Sequence, residues 1–181
     1  GKFIATDGHQ IIIINDKNAP QENQLFDLNK NGTISKYKGD GRFPNWKMVV
    51  PEEYYLYSDY TDIQPIIDLA NRAKDVSKNL DIRSSSNSVD IEFDFGDFTS
   101  KANSVYTFNG LQALQANGAD KVRVSARGNS QIVFEAANGD KYIGMPLRES
   151  SSAFVKYDIE LKPDISKLRQ NIKKLRSTLS Y

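Results

Sequence analysis

The sequence predicts an α+β fold, with antiparallel strands forming the sheets and helices lying on one face of them. Three observations carry this. Val89, Ile91, Phe93 and Phe95 alternate strictly with Asp90, Glu92 and Asp94, the period of a half-buried strand. Ile63, Ile66, Ile67, Ala70, Ala73 and Val76 recur at helical spacing and make one apolar face. Between residues 54 and 148 the pattern of helix followed by antiparallel strands occurs twice, and such segregated elements pack as helices laid on a sheet.

Taken in order, Phe3-Ile4-Ala5-Thr6 and Ile11-Ile12-Ile13-Ile14 flank Asp7-Gly8, a strong turn signal between β-branched runs, so a tight hairpin is expected. Residues 15–31 are polar, with one apolar patch at Leu25, Phe26 and Leu28 that reads as a short strand. Asn31-Gly32 is a second hairpin-type turn, leading into a strand over 33–37. The stretch 41–51 holds the only tryptophan and two of the six prolines. Phe43-Pro44 and Val50-Pro51 bracket it, and residues before proline are pushed to extended conformations. It is expected to be an extended connector between two β-rich units, its apolar residues tucked into a core or walling a groove.

A strand is expected at 54–57 and a helix over 62–76. Thr61 or Asp62 would cap the helix, and Pro65 falls in the first turn, where its missing N–H is harmless. Strands follow at 80–83 and 89–95, and extended chain runs over 98–106. Asn109 is expected to cap a short helix, 110–116, that stops at Asn117-Gly118. Three strands follow, at 121–126, 131–136 and 141–147. A further strand at 154–161 and a helix over 164–179 look like the start of another unit.

Composition narrows the function. With 39% hydrophobic and 26% charged residues the chain reads as a soluble globular protein able to bury a core. No apolar run reaches the length of a membrane span. There is no signal-peptide pattern, and residue 1 is Gly rather than Met, as in a cut or processed chain. The absence of cysteine excludes disulfides, thiolate metal sites and a cysteine nucleophile, and fits a cytoplasmic setting. Net charge is +1, but residues 162–181 carry six Lys/Arg against one Asp, which leaves a mildly acidic body. This argues against a body coated in positive charge for DNA, but not against one positive face.

Signals for catalysis are weak. His9 is the only histidine, so no metal cluster or triad can be built around it. Beside Asp7 it would be the acid–base pair of a β-rich enzyme, though turn histidines are mostly structural. Gly39-Asp40-Gly41 is not followed by a helix and so lacks the context of a phosphate loop. Asp90, Glu92 and Asp94 read as a solvated strand face. No cofactor and no metal are expected, and the chain reads as a binding protein rather than an enzyme.

Three stretches together resemble one family. Ala5-Thr6-Asp7-Gly8-His9 resembles the Ala-Thr-Asp-Gly-His turn of the bacterial DNA polymerase III β sliding clamp. Gly41-Arg42-Phe43-Pro44-Asn45-Trp46-Lys47-Met48-Val49-Val50-Pro51 resembles that clamp's Gly-Arg-Phe-Pro-aspartate-aromatic segment, which leads into its last domain. Tyr142-Ile143-Gly144-Met145-Pro146-Leu147-Arg148 resembles its Met-Pro-Met-Arg ending. The resemblance covers residues 2–14 and 41–148, in the family's order.

The resemblance implies a DNA-clamp-like fold, a ring around duplex DNA built from helices inside and sheets outside, and no catalysis. Such a ring tethers a DNA polymerase and other replication proteins, which dock short linear peptides in an apolar pocket between the last two domains. Carried over by position, that pocket comprises Thr6, Gly8, His9 and Ile11 from the hairpin, Pro44 and Val49 from the connector, and Ile143, Met145, Pro146, Leu147 and Arg148 from the last strand. Met adapts to varied apolar partners, and Arg148 would meet a carboxylate or carbonyls. Trp46 is expected to anchor the connector. DNA contact would fall on helix faces at Arg72, Lys74, Lys78, Gln112, Gln115 and Lys121, through phosphates.

The chain also departs from the family. Gln10 replaces the usual basic residue after the histidine. Residues 1–50 are expected to form a partial clamp-like domain lacking a strand–helix unit, and 51–148 a complete one. Residues 149–181 form a strand–helix extension, which would complete the 1–50 region in the same chain or a neighbour, or else stand alone as a basic amphipathic helix. A homo-oligomer is expected, and ring closure would need more subunits or a longer chain. The rival reading is a clamp-derived peptide-binding adaptor that does not encircle DNA.

Overall fold

A computed structural model describes residues 1–19, 24–28, 33–40, 42–48, 50, 56–79, 89–126, 131–145, 154–163 and 169–170. Among these the elements run β1 (Lys2–Thr6), β2 (Gln10–Asn15), β3 (Phe26–Leu28), β4 (Ile34–Lys36), a 3₁₀ turn (Trp46–Met48), β5 (Leu56–Tyr57), β6 (Thr61–Asp62), α1 (Gln64–Asn79), β7 (Asp90–Asp94), β8 (Thr99–Asn103), α2 (Ser104–Ala116), β9 (Lys121–Ser125), β10 (Ile132–Ala136), β11 (Lys141–Gly144), β12 (Phe154–Asp158) and β13 (Lys162–Pro163). The mixed α+β architecture is the one expected. The expected strand at 80–83, the turns at 31–32 and 127–129, and most of the helix at 164–179 lie outside the described residues; Arg169 and Gln170 are helical.

The main sheet has six strands in the order β1-β2-β11-β10-β9-β6. The N-terminal hairpin is therefore continuous with the C-terminal strands, through antiparallel pairing of β2 with β11 from Ile13↔Lys141 to Gln10↔Gly144. The two β-rich units flanking the connector share this sheet. Both of its faces are covered along β2, β10 and β11, so the run Ile11–Ile14 is apolar throughout rather than alternating. Ile12 and Ile14 face the helices with Phe134 and Tyr142. Ile11, Ile13, Val133 and Ile143 face the other way, joined by Tyr57 and capped by Ile4, Trp46, Val50 and Met145.

The helices lie side by side, and Gln115 Nε2 donates to Gln64 Oε1 at 2.8 Å across their contact. The two halves exchange strands. β6, which precedes α1, pairs with β9, which follows α2; β8, which precedes α2, pairs with β7, which follows α1. Both pairings are antiparallel, so the doubled unit closes around one core.

Three expectations are corrected. The second helix starts at Ser104, six residues before the expected start at Gly110. Asn103 Oδ1 accepts from the N–H groups of Val105 (2.9 Å) and Tyr106 (3.2 Å), a full N-cap that outweighs the strand preference of Val105, Tyr106, Thr107 and Phe108. Asn109-Gly110, which looked like a helix start, lies inside the helix. A Cβ on Gly110 would fall 2.2 Å from the Tyr142 ring, so this glycine permits close packing rather than a turn.

The connector is not extended but makes a 3₁₀ turn. Proline's fixed φ is compatible with entering such a turn. Trp46 N–H donates to the Pro44 carbonyl (2.7 Å), Met48 N–H to Asn45 (3.0 Å) and Val50 N–H to Trp46 (3.0 Å).

The third correction concerns the extension. Its strand does not join the N-terminal hairpins of the same chain. β12 pairs in parallel with β7, from Phe154↔Asp90 to Asp158↔Asp94. Val155 and Tyr157 turn inward onto the main core, and the open edge of β7 offers them an apolar seat beside Ile91 and Phe93. β2 of the hairpin already has β1 and β11 on its two edges and its apolar residues covered on both faces.

Candidate functional site

The 7–10 turn is built by its own residues. Gly8 takes φ 87°, a left-handed conformation open to glycine. Asp7 Oδ1 accepts from the N–H groups of His9 (2.9 Å) and Gln10 (3.1 Å), while Gln10 Nε2 donates to Asp7 Oδ2 at 3.0 Å. Burial alone would push the Asp7 carboxyl up, but these bonds outweigh it and hold its pKa below the ordinary value. Thr6 Oγ1 donates to the Gln10 carbonyl (2.7 Å) and accepts from Gly8 N–H (3.2 Å). Asp7 is thus committed to shaping the turn rather than to an acid–base pair with His9.

The His9 ring stacks on Tyr106, centroids 5.4 Å apart and planes 8° from parallel. The His9 carbonyl accepts from Met145 N–H at 3.0 Å, which ties the hairpin turn to the end of β11. Between them lies a cleft of about 40 Å³ lined by His9, Asn103, Tyr106, Tyr142, Gly144 and Met145. Gly144 keeps this wall low, since a Cβ there would fall 3.2 Å from the Tyr142 hydroxyl. That hydroxyl is buried without a hydrogen bond of good geometry, although Thr107 is its polar neighbour, and burial pushes its pKa up.

Of the residues expected in a peptide pocket, His9 and Met145 line the cleft. Thr6 and Gly8 support its turn. Ile11 and Ile143 are 2% and 0% exposed on the opposite face of the sheet, where they back the wall beneath Trp46 and Val50. Met145 belongs to both places: it lines the cleft and packs against the Ile11–Ile143 cluster. Pro44 is exposed at the entry to the 3₁₀ turn, and Met48 beyond it is 82% exposed. Val49, Pro146, Leu147 and Arg148 lie outside the described residues.

Asn103 and Tyr106 were not expected here. They stand three apart at the start of α2, so both reach the same side of its first turn. The signal was Asn103 as a helix-capping residue, masked by the β-formers Val105–Phe108 that follow it.

The helix residues expected to face DNA are dispersed in role. Arg72 and Gln112 are exposed. Lys74 Nζ sits 3.5 Å from the Phe108 ring centroid, an intramolecular cation–π contact. Gln115 bonds Gln64, and Lys121 faces Asp62 at 4.0 Å. Lys78 falls within α1. α2 carries no charged residue, and α1 sets Arg72, Lys74 and Lys78 against Asp68 and Asp75, so the helix layer is only weakly positive. Among the described residues no helix is long and apolar enough to cross a membrane.

No family model and no curated protein matches the chain. Solved structures do. The DNA polymerase III subunit beta from Pseudomonas aeruginosa aligns with a TM-score of 0.53 at 16% identity, over 81% of this chain and 55% of that one. The subunit from Borrelia burgdorferi, in complex with a natural product, gives 0.56 at 12% identity, over 81% and 52%. The DnaN sliding clamp from Bartonella birtlesii, bound to griselimycin, gives 0.52 at 16% identity, over 82% and 54%. The chain spans about half the length of these proteins. Its fold is therefore that of the DNA polymerase III β sliding clamps.

Proposed function

We propose that this chain acts without catalysis as a clamp-type docking platform in the cytoplasm. It would hold short linear peptides of a DNA polymerase and other replication proteins at the cleft between the 7–10 turn, the start of α2 and the end of β11. The observation that carries this is convergence. His9, Met145 and the Trp46 turn lie far apart in sequence, yet His9 bonds Met145, and Met145 packs in the cluster that Trp46 covers. The cleft takes one small apolar group, and the flexible Met145 gives it an adaptable apolar wall. The resemblance adds Pro44, Val49, Pro146, Leu147 and Arg148 to the proposed site.

Binding of duplex DNA is the second part of the proposal, through phosphates and without sequence preference. The weakly positive helix layer supports few contacts. With Arg72, Lys74, Lys78 and Lys121 as the cations, the slope of log affinity against log salt should not exceed about 4. A homo-oligomeric ring would strengthen this by enclosure rather than by charge.

Calorimetric titration of a short polymerase-tail peptide, with and without Met145→Asp, tests the reading. Micromolar binding lost by at least tenfold in the variant supports it; no binding by the unmodified chain counts against it. Solution mass separates a ring from an adaptor, a closed multimer indicating the first and a monomer the second.

A further inference from the structure

The two halves of the core differ at one place. Beside β9 sits β10, antiparallel and buried, with Ile132, Val133, Phe134 and Ala136 each at most 2% exposed. Beside β7, the matching position holds β12, which runs parallel and comes from the end of the chain. Its residues alternate between exposed and half-buried, and none of Phe154–Asp158 is fully buried. Beyond it only Ile159 is firmly buried, at 8% exposure, its N–H donating to the Asp94 carbonyl at 2.7 Å.

Besides the ladder to β7 and the inward Val155, Tyr157 and Ile159, the polar fastenings to the body are exposed ion pairs. Lys156 meets Asp94, and Lys162 meets Asp59 where β13 pairs with β5. Pairs this exposed contribute little at physiological salt and are screened further as salt rises. Beneath the strand's end lies a cavity of about 210 Å³, bounded by Ser58, Asp59, Thr61, Val124, Tyr157 and Lys162. Close packing is therefore lacking beside the Lys162–Asp59 pair.

We propose that residues 154–163 form a releasable strap. This self-supplied strand closes the β7 edge and exchanges with the same strand of a second copy of the chain. The second copy is the partner whose fit the structure already displays, because an identical β12 offers β7 the same register, the same inward Val155 and Tyr157, and the same Lys156 for Asp94. Release leaves β7 with an open ladder edge, the usual template for strand addition. Salt promotes release by loosening both cross-body ion pairs at once.

Two measurements on the full chain test the strap. In hydrogen exchange, the amides of 155–159 should exchange about tenfold faster in 0.5 M than in 0.05 M NaCl, while those of β9–β11 change less than twofold. Equal, salt-insensitive protection of β12 and β10 would overturn the proposal. In the second measurement, Glu92→Cys chains are mixed with Lys156→Cys chains and then oxidised; the two positions are register partners and the protein has no cysteine of its own. The mixed disulfide dimer should outgrow both single-variant controls; with Lys156 replaced, any rise with salt reports the Lys162–Asp59 pair alone. Dimer yield no higher than in those controls would show that the strap never leaves its own chain. The double variant should close only on itself and abolish the salt response of exchange, and a retained response would count against the strap as its source.

Discussion

Replacing Gly110 by Ala tests how α2 is seated against the sheet, and so how the cleft is held open. On helix propensity alone, Gly to Ala within a helix should stabilise by about 1 kcal/mol. The packing predicts the opposite sign. The new methyl would lie 2.2, 2.4 and 2.6 Å from Cδ2, Cε2 and Cγ of Tyr142. Carbon pairs need about 3.5 Å, so helix or ring must move by about 1.3 Å. The ring has little room to yield: Tyr142 is 1% exposed and stacks on Phe134 at 5.7 Å. Overpacking costs about 1–3 kcal/mol, and an approach this close to a buried, stacked ring takes the upper part of that range, about 2–3 kcal/mol, which leaves a net loss of about 1–2 kcal/mol. For a chain of this size that lowers Tm by about 2–8 °C. Urea melts should show a lower midpoint at an unchanged slope. Pairing the change with Tyr142→Leu should recover part of the loss, since the methyl then fills the space the ring vacates. A variant as stable as the parent, or more stable, would refute the close approach of Gly110 and Tyr142.

Other perturbations follow from the same geometry. Asp140 is 0% exposed and accepts from Asn15 N–H (2.7 Å), Asn117 Nδ2 (2.6 Å) and Asn138 Nδ2 (2.9 Å), so it ties β2, α2 and the β10–β11 turn together. Asp140→Ala orphans these donors and should cost about 3 kcal/mol in denaturant melts. Asn103→Ala removes the α2 cap and should cost about 1 kcal/mol, with faster amide exchange at Val105 and Tyr106. The Glu135 carboxyl is pushed up by burial, but bonds from Lys141 and Arg123, each at 2.9 Å, outweigh this and hold it below its ordinary 4.5. A depressed folded-state pKa gives stability that is present above the unfolded value and is lost as pH falls through the folded one. Thermal melts should therefore fall off below about pH 4.5, and Glu135→Gln should flatten that part of the profile.

What was legible in the sequence had a local cause. The Asp7-Gly8 turn, the apolar stripe of α1 and the β7 strand are each written within a few residues, and each was read correctly in kind; the acidic face of β7 was not, since Asp90 is 1% exposed and Glu92 and Asp94 are partly buried beside Lys101 and Lys156 rather than solvated. The start of α2 was not. Val105, Tyr106, Thr107 and Phe108 favour strand, and the Asn103 cap, together with the packing of Gly110 on Tyr142, 32 residues further on, decides for helix. Gly110 misled for the same reason, because its neighbour across the core is invisible in sequence. The partner of β12 was equally hidden: Phe154–Asp158 alternates as a strand, but nothing local says which edge it meets. At the cleft, resemblance located His9 and Met145, whereas Asn103 and Tyr106 came from geometry. Ile11 and Ile143 proved to back the wall because β2 and β11 turn their alternate residues to the far face of the sheet.

The central claim is where a peptide docks. Backbone amide shifts of the isotope-labelled chain, followed during titration with a short polymerase-tail peptide, test it most directly. Saturable shifts should concentrate at His9, Asn103, Tyr106, Gly144 and Met145, with those of β12 and α1 unmoved. Saturating shifts confined to another surface, or none at millimolar peptide, would contradict it.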